Sequence, residues 1–250
     1  MIQDLASRKN PVIRRLRALA ADGAFRRAEG EYLCDGRKLL DEAVEKGCRI
    51  RCVVWKERAE DCPGLACPAQ YAVKGDLFDY LSPMKNSPGP VFTVAMPDEQ
   101  RERALDRAIL LENVQDPGNV GTVIRTAAAM GVDTVLLVGA CADVYSPKTA
   151  RAAMGALFRE RILRCTAQEA RTMADRSGLP LYGAALSERA ADIRTLDLKK
   201  AVVAIGSEGQ GLSRELLALC DGELIIPMTA GSESLNAAVA ASLVLWEMAR

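Results

Sequence analysis

From residue 109 onward, short runs of continuously apolar residues alternate with helical patterns. The runs are Ile109–Leu111, Thr134–Val138, Leu179–Ala185, Ala201–Ile205 and Glu223–Ile226. Strands that are apolar throughout must be covered on both faces, which implies helices above and below and therefore a parallel sheet. Such a sheet binds ligands in the loops that leave the carboxyl ends of its strands. The first ~95 residues carry shorter signals, with strands expected at Glu31–Cys34, Arg49–Trp55, Tyr71–Val73 and Val91–Ala95 and helices over 37–46 and 76–81. The pattern predicts a smaller α/β domain over 1–96, a polar linker over 97–107 and a larger α/β domain over 108–250. Near the N-terminus Val12, Leu16 and Leu19 recur at helical spacing and leave Arg14, Arg15 and Arg17 on the outer face.

Composition changes this picture in two ways. The 250 residues contain no histidine. That absence removes the Ser-His-Asp triad, the Cys-His dyad and HExxH zinc chemistry. The formal net charge is zero, with 33 basic and 33 acidic residues, yet residues 1–27 hold seven basic against two acidic ones. A solvated helix face and a phosphate-contacting arm are the two readings of that basic stretch. No apolar run reaches the ~18 residues needed to span a bilayer, and the early Asp4 speaks against a secretory signal. The eight cysteines then read as reduced thiols and the compartment as cytoplasm. Cys48, Cys52, Cys62 and Cys67 are spaced unlike a compact zinc knuckle, so small buried or loop thiols are expected there and no metal.

Three loops follow the apolar strands and carry the candidate chemistry. In Gln115-Asp-Pro-Gly-Asn-Val-Gly, Pro117-Gly118 makes a turn and Asn119 is the expected N-cap of the next helix. Val120, Val123, Ile124 and Ala127 share one face of that helix, and Arg125 lies about 140° from Val120. In Ile205-Gly-Ser-Glu-Gly-Gln-Gly-Leu-Ser, the glycines suggest a ligand cradle, but the sequence is neither GxGxxG nor GxxxxGK[ST]. Glu208 would place a negative charge where a phosphate should sit, so a neutral or cationic ligand suits the loop better. The third loop runs from Ile226-Pro-Met to a helix expected near Ser234, which would cap it, with Asn236 in the first turn and Leu235, Val239 and Trp246 in the core.

In order and spacing over 109–250, these loops resemble the three motifs of the SpoU/TrmH family of RNA ribose 2′-O-methyltransferases, within the knotted SPOUT superfamily. The matching residues are Asp116-Pro-Gly-Asn-Val-Gly with Arg125, Gly206-Ser-Glu-Gly-Gln-Gly-Leu-Ser, and Ile226-Pro-Met through Ser234-Leu-Asn. Two departures are Ala230, where glycine is frequent, and Cys34-Asp-Gly, where Glu-Gly is frequent. The resemblance implies a C-terminal parallel-sheet domain with a trefoil knot and an N-terminal RNA-binding domain of ribosomal-protein L30e-like fold. It implies S-adenosylmethionine held near Ala184, Gly206, Ile226 and Leu235. Arg125 is the expected catalytic residue, as base or as clamp, with Asn119, Glu208, Ser234 and Asn236 orienting it and the RNA. The implied partners are RNA, ribosomal rather than transfer, and a second copy of the chain. A non-catalytic RNA-binding protein on this scaffold and a phosphate-binding nucleotide enzyme are the competing readings.

Overall fold

The computed structural model describes residues 2–229 and 234–250; Ala230 lies outside them. Contacts divide the chain into two units, Met1–Asp98 with Asp143–Phe158, and Glu99–Ala142 with Arg159–Arg250. The division at Asp98/Glu99 lies close to the expected boundary, but neither unit is a single stretch of sequence.

The chain opens with β1 (Gln3–Leu5), α1 (Pro11–Ala21), α2 (Gly23–Glu29) and β2 (Glu31–Asp35). It continues through α3 (Arg37–Glu45), β3 (Ile50–Lys56), β4 (Ala69–Val73), α4 (Gly75–Leu81) and β5 (Val91–Ala95). The sheet order is β1-β4-β3-β5-β2, with β5 antiparallel to both β3 and β2. Asn10 caps α1 through its side chain, Pro11 occupies the first turn, and the helix buries Ile13, Leu16 and Leu19 against Leu33, Val54 and Phe78. β1 and α2 carry no strong periodicity, so the sequence pattern does not predict them.

The second unit begins within the stretch expected to be a linker. Leu105 joins its core, and Arg101 donates to the Arg164 carbonyl at 2.7 Å, so this polar stretch is part of the packed structure. Next come β6 (Ala108–Glu112), α5 (Pro117–Met130) and β7 (Thr134–Val138). The chain then gives α6 (Pro147–Ala153) and a 3₁₀ turn to the first unit. It returns as β8 (Arg161–Cys165), α7 (Ala167–Arg176), β9 (Leu181–Ala184), β10 (Ala191–Asp192), β11 (Val202–Ile205), α8 (Arg214–Ala218), β12 (Gly222–Ile225) and α9 (Ala237–Ala249). The seven strands form the parallel sheet β10-β12-β9-β11-β6-β7-β8. Its central strands β6, β7 and β11 are buried along their length, as continuous apolar runs require. β8 escapes the sequence pattern because it is an edge strand with arginines at two of its five positions.

The chain runs outward from β6 to β8, crosses to β9 and β10 on the far side of the sheet, and returns to β11 beside β6. The loops leaving β6 and β11 therefore meet at a switch point, where open α/β sheets build their sites. One core expectation fails in α9. Val239 and Trp246 are 48% and 57% exposed and form a stripe with Leu243, while Ala241, Val244, Leu245 and Met248 face inward. The helix is apolar on nearly every side, so spacing could not single out the buried face.

Candidate functional site

β6 ends in Glu112, an acid only 4% exposed after four apolar residues. Its two carboxylate oxygens accept from the backbone N–H and the hydroxyl of Ser213, each at 2.7 Å. Ser213 in turn caps α8 by accepting from Leu216 N. Glu112 thus ties the far end of the glycine-rich loop to the end of the neighbouring strand. Sequence reading passed over this residue, although a lone acid closing an apolar strand is a usable signal.

The glycine-rich loop itself is a small closed hairpin. Ser207 and Gly211 exchange backbone hydrogen bonds at 3.2 and 2.9 Å. A Cβ on Gly206 would lie 2.0 Å from the Gly211 carbonyl carbon, and Gly211 has φ +65°. Both glycines are therefore demanded by the turn. Their effect is to hold Glu208 at the tip.

Glu208 gathers the other two loops. Its Oε1 accepts from Asn119 Nδ2 at 2.7 Å, Asn236 Nδ2 at 2.5 Å and Ala237 N at 3.3 Å. Asn236 Nδ2 also approaches Asn119 Oδ1 at 3.2 Å. The capping assignments made from sequence shift by a few residues, and the shift explains this geometry. Asp116, not Asn119, caps α5, accepting from Asn119 N at 2.9 Å. The Asn119 amide is thereby left free for Glu208. Asn236, not Ser234, caps α9 through Oδ1, which accepts from Ala238 N and Val239 N, while its Nδ2 serves Glu208. One side chain starts a helix and orients the acid.

Two cavities share the Ser207–Gln210 segment as a wall. One, of about 550 Å³, is lined by Ala184, Gly206, Ile226, Ser234 and Leu235 together with Leu186, Leu212 and Leu224. Every residue expected at the cofactor lines it. No lysine or arginine does, so the cavity offers no countercharge to a phosphate, whereas apolar walls and backbone groups suit a flat, phosphate-free ligand. The other, of about 500 Å³, is polar and includes Asn113, Asp116, Asn119 and Glu208. Arg125 lines neither cavity; it is exposed on α5, with no hydrogen bond or ion pair to a described residue.

The basic arm of the first unit divides. Arg14 is exposed. Arg15, expected on the outer face, is instead engaged by Glu29 at 2.9 Å and by the fully buried Glu31. Arg17 and Arg8 lie over the Tyr80 ring at 4.9 and 4.5 Å. The four clustered cysteines are separate thiols: Cys52 is buried in β3, where burial pushes it up to about 12, and Cys62 Sγ bonds Asp41. Among the described residues no group of three or more Cys, Asp or Glu is placed to hold a metal ion.

Comparison with known proteins locates this arrangement. A tRNA/rRNA methyltransferase of Synechocystis is 33% identical over the whole chain and 94% of its own length. The 23S rRNA (guanosine(2553)-2′-O)-methyltransferase of Bacillus subtilis is 29% identical over 87% of this chain and 88% of its own. The crystal structure of an AdoMet-bound rRNA methyltransferase from Sinorhizobium meliloti superposes with a TM-score of 0.88 at 26% identity, covering 99% of this chain and 97% of that one. The model of the SpoU rRNA methylase family matches residues 106–246, the stretch that contains all three loops, and the chain belongs to that family.

Proposed function

We propose that the protein transfers a methyl group from S-adenosylmethionine to a ribose 2′-hydroxyl of ribosomal RNA. The observation that carries this reading is the Asn119–Glu208–Asn236 group, set between an apolar cavity and a polar one. Ribosomal RNA is favoured over transfer RNA because a relative aligned over most of both chains is named for 23S rRNA. The second unit is read as the trefoil-knotted SPOUT domain and the first as an L30e-like RNA-binding domain. No described helix is long and apolar enough to cross a membrane, and the working compartment is taken to be the cytoplasm.

S-adenosylmethionine, when bound, supplies an electrophilic methyl on a sulfonium. Its place is the cavity of Ala184, Gly206, Ile226 and Leu235, whose lack of basic side chains matches a ligand without phosphate. Glu208 gives that cavity its negative wall and keeps both asparagine amides aimed. Asn119 holds a ribose hydroxyl on the polar side, Asn236 orients Glu208 and Asn119 from the start of α9, and Ser234 lines the cofactor cavity. In-line displacement needs alignment above all, and positioning of this kind supplies about 7–11 kcal/mol. Arg125 acts as a clamp on phosphate and on the developing 2′-oxyanion, because a guanidinium offers five N–H donors and no acceptor for a proton. The enzyme works as a homodimer through the exposed Val239–Leu243–Trp246 stripe of α9.

The test is Arg125→Ala assayed with labelled cofactor on ribosomal RNA, alongside calorimetric binding of cofactor. Methyl transfer should fall by about 100-fold or more while cofactor affinity is unchanged. Near-normal turnover would remove Arg125 from the chemistry.

A further inference from the structure

The first unit contains a recess of about 410 Å³ that the methyl-transfer chemistry does not use, lined among others by Leu33, Asp35, Leu39, Met84, Lys148 and Arg151. Its back wall is a buried acid. Asp35 closes β2 and is 9% exposed. Ser87 Oγ donates to its Oδ1 and Ser82 Oγ to its Oδ2. Both serines are buried and are fixed by backbone donors, Met84 N to Ser82 at 2.9 Å and Gly89 N to Ser87 at 3.0 Å. The carboxylate is therefore rigid. Each of its oxygens has accepted one serine proton, which leaves an acceptor site on each.

The opposite wall is equally fixed. Arg26, itself buried, donates to Asp143 at 2.6 Å and to the Leu19 carbonyl at 2.6 Å. Tyr145 packs on Tyr32 with ring centres 4.8 Å apart, and Thr149 bonds back to the Asp143 carbonyl at 2.8 Å. These contacts hold α6 so that Lys148 and Arg151 line the recess. Arg151 is exposed and has no hydrogen bond or ion pair to a described residue.

Two acceptors side by side on a rigid carboxylate match two parallel N–H donors. Among the four RNA bases only guanine presents them, at N1 and N2. On the pairing edges of adenine, cytosine and uracil every donor is flanked by acceptors or carbon. Apolar Leu39 and Met84 supply surface for a ring, and the cations supply a partner for the adjoining phosphate. We propose that this recess seats a guanine of the RNA as an anchor, with N1–H and N2–H on Asp35 and the neighbouring phosphate on Arg151 and Lys148. The proposal rests on the reading of the protein as an RNA enzyme and adds to it a sequence-selective contact.

The experiment measures binding of labelled RNA hexamers to the full chain by fluorescence anisotropy. The probes are hexauridylate, the same hexamer with one central guanosine, and the same with inosine, which lacks the N2 amino group. The guanosine hexamer should bind about 5- to 100-fold tighter than hexauridylate, as a bidentate base contact does, and inosine should lose most of that gain. Asp35→Asn should bring the hexamers within about twofold of one another. Arg151→Ala, on an exposed side chain, should weaken every hexamer alike, keep the guanosine preference and lower the salt slope by about one. Equal affinities for guanosine and uridine hexamers overturn the proposal, as does a preference that survives Asp35→Asn. An unchanged affinity and salt slope in Arg151→Ala, which does not depend on how well Asp35→Asn folds, overturns the phosphate contact. Capture of an arginine-containing peptide without guanosine preference would reassign the recess to a protein partner. Methylation of ribosomal RNA by the same preparation separates the outcomes: activity without guanosine preference sinks the anchor alone, and absence of both sinks the function reading.

Discussion

Each unit contains a buried acid at the carboxyl end of a strand, and each acid is held by serine from a distant loop. Asp35 ends β2 and takes two hydroxyls, from Ser82 and Ser87. Glu112 ends β6 and takes one hydroxyl and one backbone N–H, both from Ser213. The difference matters because a hydroxyl can turn and a backbone N–H cannot. Ser82 has a second acceptor in reach, the Met84 carbonyl at 3.0 Å. Ser213 already spends its acceptor side on Leu216 N, at 3.1 Å, and its N–H has nowhere else to point. Glu112 is thus a clamp with both oxygens committed to one residue, whereas Asp35 is held in the wall of its recess by two hydroxyls, one of which has a second acceptor in reach.

The largest expected effect comes from breaking the loop that Glu112 clamps. Gly206→Ala places a methyl group against the Gly211 backbone, a clash that only a rearranged hairpin relieves. Glu208 then leaves its position between Asn119 and Asn236. Misplacement by about 1 Å costs on the order of 100-fold in rate, and methyl transfer should fall at least that far with the first unit's RNA affinity unchanged. A variant with wild-type turnover would show that the hairpin does not aim Glu208.

Next in size is the exchange of each acid for its amide. Glu112→Gln leaves the Ser213 hydroxyl proton or its N–H without a charged acceptor, at a cost of about 1.5–3 kcal/mol. It should lower the melting temperature and raise the KM for cofactor, since the clamped loop walls that cavity. Asp35→Asn should cost less, under about 1 kcal/mol, because Ser82 can redirect its proton. Thermal unfolding of the two variants checks the ranking, and equal losses would mean that reversible hydroxyls confer no tolerance.

How much of this was legible in the sequence follows the same division between backbone pattern and side-chain partnership. The parallel sheet could be read because Ile109–Leu111, Thr134–Val138 and Ala201–Ile205 must be covered on both faces. The three loops could be read because parallel strands send their ends to one edge. Helix starts were misplaced by a few residues, since Asp116 and Asn119, or Ser234 and Asn236, are all competent caps. Only folding decides which one faces the helix and which is left for Glu208. Arg15 illustrates the limit of charge counting. Helical spacing places it beside Arg14 and Arg17, but nothing local reveals that Glu31, sixteen residues on, is buried and needs it. The capture of Asp143–Phe158 by the first unit is likewise a long-range event without a local signature.

The smallest effect concerns a half-buried acid, Glu160, one that neither clamps nor walls anything. Glu160 in the second unit has a buried Oε2 without a hydrogen-bond partner. Burial lifts its carboxyl from 4.5 to about 7, with Arg159 opposing the rise and Asp133 adding to it. The folded protein therefore holds this proton more tightly than the unfolded chain does. The resulting stabilisation is complete below pH 4.5 and is lost as pH rises through about 7. Glu160→Gln keeps the shape and removes the titration, so its melting temperature should gain on the wild type by a few degrees between pH 5 and pH 8. Satisfied acids give a different profile, because changing Glu112 to its amide removes hydrogen bonds that persist across that range. A Glu160→Gln difference that stays constant with pH would mean that the lone oxygen is solvated after all, and that lack of a hydrogen-bond partner does not separate Glu160 from the two held acids.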